Sequence, residues 1–141
     1  MSQQFSFLLD QVSAEKLVSS IPYADYLGIC IEQDINGQIR YRLPFQEKHI
    51  GNPMIRAIHG GVIAGFMECA ASLAVIGIIA HDHLPKCVNM TTEYLRSAKA
   101  EDAFAQVAIK NSGRRIVHLS VHCWQEDHRQ VSAGHYRFRV T

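Results

Sequence analysis

Over its second half the chain alternates apolar and polar residues with a period of two, and just before that half comes a long run that is apolar on every side. Period-two alternation marks strands with one buried face. Val88, Met90, Thr92 and Tyr94 recur at this spacing within 86–95, and Val117, Leu119, Val121 and Cys123 within 115–124. A strand over 103–111, turned by Asn111-Ser112-Gly113, and one over 130–140 complete this part. In the last strand the apolar parity slips from Val131 and Ala133 to Tyr136, Phe138 and Val140, which predicts a β-bulge at Gly134. Upstream, runs at 29–35 and 38–43 flank Asn36-Gly37, the dipeptide that most strongly signals a hairpin. Ser13 is placed to N-cap a short helix over 14–20, ended by Pro22, with a further turn over 23–27. A loop over 44–58 leads into the apolar run.

That run, 62–80, predicts one dominant helix of 19 residues. Such a helix is about 28 Å long, and a ten-residue strand about 33 Å. The helix therefore fits along the concave face of a curled sheet. The fold class is α+β, with about six mostly antiparallel strands around one helix. One sheet cannot cover a helix that is apolar all round. A second copy is expected to cover the rest, making the protein a homo-oligomer.

Composition narrows the partners. At 141 residues and a formal net charge of +1, the chain reads as one domain over 1–141 with no electrostatic pull toward nucleic acid or an anionic membrane. The 62–80 run is long enough to span a bilayer, but Glu68 inside it, no basic flanks and the amphipathic remainder argue against a membrane. Cys30, Cys69, Cys87 and Cys123 are scattered and no export signal precedes them, which reads as a reduced, cytoplasmic protein. His81-Asp82-His83 follows the helix without a third ligand in register, so no metal is expected. No cofactor is expected either.

The chemistry concentrates in the helix. Between Ala57 and Ala80 the one charged residue is Glu68, eight positions after Gly60 in the sequence His59-Gly60-Gly61. A carboxylate in apolar surroundings must be solvated, paired or put to use. A Gly-Gly pair can open a helix with bare amides at the positive end of its dipole. Together they offer a base and an electrophile-binding end. Eight residues along one helix are about 12 Å, too far for both groups to meet one carbonyl carbon. Two antiparallel copies would close that distance, placing the site between subunits. Structural roles stand beside these. Glu68 could be tied to an arginine or the backbone, His59 could cap or brace the loop rather than act as a catalytic acid or base, and Asn52 could make an Asx-turn before Pro53.

Gly51-Asn52-Pro53, His59-Gly60-Gly61 followed at nine residues by Glu68, and Tyr94-Leu95-Arg96-Ser97-Ala98 resemble the hotdog superfamily. Within it the chain looks most like acyl-CoA thioesterases of the phenylacetic-acid-degradation type. The resemblance implies that Asn52 orients the attacking water or the thioester. It implies that the Gly60 amide polarises the carbonyl and that Glu68 acts as general base or nucleophile. Cys87 stands where related enzymes often carry a Ser or Thr that assists the water. The implied assembly is a dimer, often a dimer of dimers, acting on acyl-CoA.

Other residues are weighed on chemistry alone. Gly61 belongs to the same helix start. Arg96, Arg114 and Arg115 could meet coenzyme A phosphates, and Phe66, Met67 and Tyr94 suggest an apolar acyl tunnel. His118 and His122 are expected to face outward. Two other functions remain open. His49-Ile50-Gly51-Asn52-Pro53 echoes a hotdog dehydratase or enoyl hydratase using His49 with Glu68, and a non-catalytic acyl-CoA-binding module would keep the same pocket.

Overall fold

The computed structural model describes residues 11–78 and 84–141. Two short helices, α1 (Gln11–Ser19) and α2 (Pro22–Leu27), lead into β1 (Cys30–Gln33) and β2 (Ile39–Leu43). A single 3-10 turn, Glu47–His49, precedes the small strands β3 (Ile50–Asn52) and β4 (Ala57–Ile58). Next comes the long helix α3 (Gly60–Ile78), followed by β5 (Lys86–Tyr94), β6 (Ala103–Ser112), β7 (Ile116–Gln125) and β8 (Arg129–Arg139). Six strands form one sheet in the order β1-β2-β6-β7-β8-β5, with every neighbouring pair antiparallel. β3 and β4 pair separately.

The alternation read from sequence decides which side of the sheet α3 occupies. Val117, Leu119, Val121 and Cys123 are buried on one face of β7, while His118 and His122 are exposed on the other. From β8 come Tyr136 and Phe138, with Val140 just past its end, and from α3 Phe66, Met67, Ala70, Leu73 and Val75, all in the same core. α3 lies along this inner face, so its apolar length serves the core of an α+β hotdog fold. Full burial of a large apolar side chain contributes roughly 1.5–3 kcal/mol.

Several local expectations shift. Ser13 lies inside α1 rather than capping it. The β1–β2 connection is longer than a two-residue turn: the Gly37 amide donates to the Asp34 carbonyl at 3.0 Å and the Asp34 amide to the Gln38 carbonyl at 2.8 Å. Gly37 has φ +82°, the left-handed residue that closes a three-residue hairpin loop. The Asp34 carboxylate secures it, accepting from the Asn36 and Gln38 amides at 2.8 and 2.9 Å. The β8 bulge falls at Val131 rather than Gly134, because Cys123 pairs with Ser132 while Trp124 pairs with Gln130. The parity slip was real, but Gly134 keeps regular pairing with Thr92 and Val121. His81, Asp82 and His83 lie outside the described residues.

Candidate active site

The start of α3 is held by its own histidine. His59 is the N-cap: its carbonyl accepts from the Val62 and Ile63 amides at 2.9 and 3.2 Å, and its Nδ1 accepts from the Gly61 amide at 2.8 Å. A neutral ring accepting at Nδ1 carries its proton on Nε2. The bracing role expected as one alternative for His59 is the one observed. The loop behind it is tied by the His59 amide donating to the His49 carbonyl at 2.8 Å and the Ile58 amide to the Ala98 carbonyl at 2.9 Å. Across the helix tip, the Tyr94 hydroxyl donates to the Gly60 carbonyl at 2.9 Å.

Gly60 itself differs from Gly61. Its amide has no acceptor among the described residues and emerges at the positive end of α3. Of the two amides expected to be bare, one is. A groove of about 400 Å³ opens beside it, lined by Gly60, Ile63, Tyr94, Arg96, Ser97 and Val131 among others. Arg96 is exposed at its rim and donates to the Gln130 carbonyl at 2.9 Å.

Glu68 lies two turns further on. Ala64, Glu68, Ser72 and Ile76, spaced at four residues, form a half-buried stripe on α3. Among the described residues Glu68 enters no ion pair, so the arginine-tied role considered for it is not the one observed. Its neighbour across the gap to the edge strand is Cys87. Burial, and then the Glu68 carboxylate, raise the Cys87 thiol above its ordinary value, so the sulfur keeps its proton beside the carboxylate. Cys69, next in sequence to Glu68, is pushed up to about 12, first by burial and then by Glu68. Neither sulfur is a ready thiolate nucleophile. Ser72, one turn after Glu68 on the same stripe, was passed over in the sequence; its signal is a hydroxyl four residues from the acid.

The remaining residues divide by place. Asn52 is exposed at the β3–β4 tip, and its Oδ1 accepts from the Met54 amide at 3.1 Å, which is an Asx-turn. Arg114 and Arg115 are exposed in the β6–β7 turn, at the opposite end of the sheet from Gly60. Counting along β7, that is about 20 Å away, so one chain does not gather them with Arg96. His49 is 1% exposed, and its Nδ1 accepts from the Gln46 amide at 3.2 Å. Its buried ring is withdrawn from any substrate. A single chain thus presents two half-sites, a helix tip with Tyr94 and Arg96, and a carboxylate with Cys87.

A family model described as the thioesterase superfamily matches residues 56–132, more than half the chain. A medium/long-chain acyl-CoA thioesterase of Salmonella typhimurium is 22% identical over 139 residues, covering 89% of this chain and 90% of that protein. A Halobacterium salinarum protein, provisionally described as an esterase, is 28% identical over 99 residues. That match covers 64% of this chain and 62% of the halobacterial protein, less than two thirds of its length. Among solved structures, a Chromobacterium violaceum protein has a TM-score of 0.74 at 31% identity, covering 99% of this chain and 97% of its own. A phenylacetic acid degradation-related protein of Ralstonia eutropha shares the fold, with a TM-score of 0.76 at 16% identity over 89% of this chain and 98% of its own.

Proposed function

Since the chain belongs to the thioesterase superfamily, a family of thioester hydrolases, we propose that it cleaves acyl-CoA to the free acid and coenzyme A. The observation that carries this reading is the pairing, on one helix, of a bare Gly60 amide with a Glu68 carboxylate that has no ion-pair partner among the described residues. Attack on the thioester carbonyl puts negative charge on oxygen. A fixed amide at a helix N-terminus stabilises that charge, commonly by a few kcal/mol. Glu68 takes the proton from water as the carbon–oxygen bond forms. On collapse the carbon–sulfur bond breaks, and the departing thiolate receives that proton. His59 and Tyr94 act as positioning residues for Gly60. Arg96 at the groove rim is suited to a coenzyme A phosphate. The printed description of the Salmonella relative supports a medium or long acyl chain.

The site is completed by a second copy. Gly60 and Glu68 are about 12 Å apart along α3, and both should lie within roughly 3–4 Å of the reacting atoms. An antiparallel partner helix would bring its Gly60 to Glu68. Two features support such a dimer. The stripe through Ala64 and Ser72 is small enough for close helix approach. At the sheet margin, β5 has one edge unpaired among the described residues and presents Val88, 53% exposed, and Tyr94, 58% exposed.

Against the dehydratase reading, His49 is buried and its Nδ1 is held by the Gln46 amide. The test is thiol release from acyl-CoAs of graded length. Wild type should turn over, and Glu68→Gln should lose at least 100-fold in kcat while keeping its fold by circular dichroism. Ligand-induced thermal stabilisation with no thiol release in wild type would mark a binding module instead.

A further inference from the structure

The inner face of the sheet is mostly apolar, and two of its buried hydroxyls stand out. Tyr136 is 1% exposed, yet among the described residues neither its hydroxyl nor the equally buried Oγ1 of half-buried Thr92 makes a hydrogen bond of full geometry, although the two lie side by side. The two oxygens are neighbours by strand geometry. Thr92 pairs across the ladder with Gly134. A Cβ built on Gly134 would stand 2.9 Å from the Tyr136 hydroxyl and 2.8 Å from the Thr91 carbonyl. The phenol therefore leans back over Gly134 toward Thr92, into space that only a glycine leaves free. Burial pushes the phenol up to about 12, eased by Thr92 and raised further by Glu68, so it stays a proton donor. Another inner-face hydroxyl, Ser132, is satisfied by the Glu93 carbonyl at 2.7 Å.

Position gives this pair its meaning. Along β5, Thr92 falls between Cys87, which lies beside Glu68, and Tyr94, which bonds Gly60. The hydroxyls sit under the stretch of α3 that separates the base from the helix tip. Buried hydroxyls without full partners are costly, and a bound water relieves both. We propose that Tyr136 and Thr92 are positioning residues for the attacking water, holding it on the sheet side of Glu68. The inference rests on the hydrolase reading above. In the step, one O–H proton of that water passes to Glu68 as its oxygen bonds the thioester carbon. The phenol and the threonine hydroxyl keep the water's remaining hydrogen and lone pair oriented.

The test compares Tyr136→Phe, Thr92→Val and Thr92→Ser with Glu68→Gln, using two saturated acyl-CoAs and one bearing a hydroxyl on its acyl chain. Hydroxylamine is added as a competing nucleophile. Expected for Tyr136→Phe and Thr92→Val are kcat falls of tenfold or more with KM within twofold on all three substrates. The hydroxamate-to-acid ratio should rise, and Thr92→Ser should stay near wild type. A structural role would leave that ratio unchanged. The inference is overturned if kcat stays within twofold, if the ratio does not move, or if losses are confined to the hydroxylated substrate, which would place the hydroxyls against the acyl chain. Loss in Glu68→Gln with none in the other variants overturns this inference alone; an inactive wild type overturns the hydrolase reading.

Discussion

At the residue scale, two histidines flanking the β3–β4 hairpin show how much local chemistry a sequence discloses. His59 was readable as a cap because it stands immediately before Gly-Gly and an apolar helix, where a side-chain acceptor has an amide to satisfy. His49 was not, because its burial depends on loop packing that no local pattern encodes. Its ring is held below the ordinary histidine value by burial first, then by Lys48, with the Leu27 carbonyl working the other way. The sign follows from that direction. An unfolded chain binds the proton more readily, so His49 contributes stability above its ordinary pKa of about 6.5, and that contribution is lost as pH falls below it. Outward-facing His122, partly desolvated where it stacks on Trp124, is lowered as well and acts in the same direction. Thermal melts between pH 7.5 and 5.5 should show wild type losing stability toward acid. His49→Gln should flatten that slope without abolishing it; an unchanged slope would remove His49 from the account.

At the element scale, α3 was legible in type because an acid inside a long apolar run, followed by amphipathic strands, reads as a core helix; it starts at Gly60, two residues before the apolar run. The order of strands in the sheet was not, since alternation fixes which face a residue takes and leaves open which strand lies beside it. The bulge illustrates the same limit. Parity announced an extra residue, but its place at Val131 is set by where β7 ends its pairing. The tip of α3 supports a sharper expectation. His59→Ala removes the Nδ1 acceptor from Gly61, and losing a side-chain cap costs about 1 kcal/mol. Tyr94→Phe deletes the bond to the Gly60 carbonyl, a net loss of about 0.5–1.5 kcal/mol. Both should lower the melting temperature by a few degrees. If the tip positions the oxyanion donor, kcat should fall severalfold with little change in KM. A full melting shift with unchanged kcat would assign both residues to stability alone.

At the scale of the whole molecule, the decisive quantity is the separation along α3, and it was already fixed by residue count. Eight residues of helix cannot bend a Gly60 amide onto the carbonyl that Glu68 serves, so competence is expected only where two chains meet. This can be tested by mixing defects. Gly60→Pro removes the amide donor at a first-turn position where proline is tolerated, and Glu68→Gln removes the base. Each variant alone should be nearly inactive. Co-expressed and separated by distinct tags, the mixed dimer holds one site with both defects and one with neither, because each site takes its amide and its carboxylate from different chains. It should recover up to half of the wild-type activity per dimer. A site built within one chain gives the opposite result: both sites of the mixed dimer carry a defect, and activity stays near zero. A lysine at Val88 on the exposed edge of β5 should weaken the same association, lowering both sedimentation coefficient and turnover at low protein concentration. Turnover that survives in a sedimenting monomer would mean that the missing half of the site lies on the chain itself.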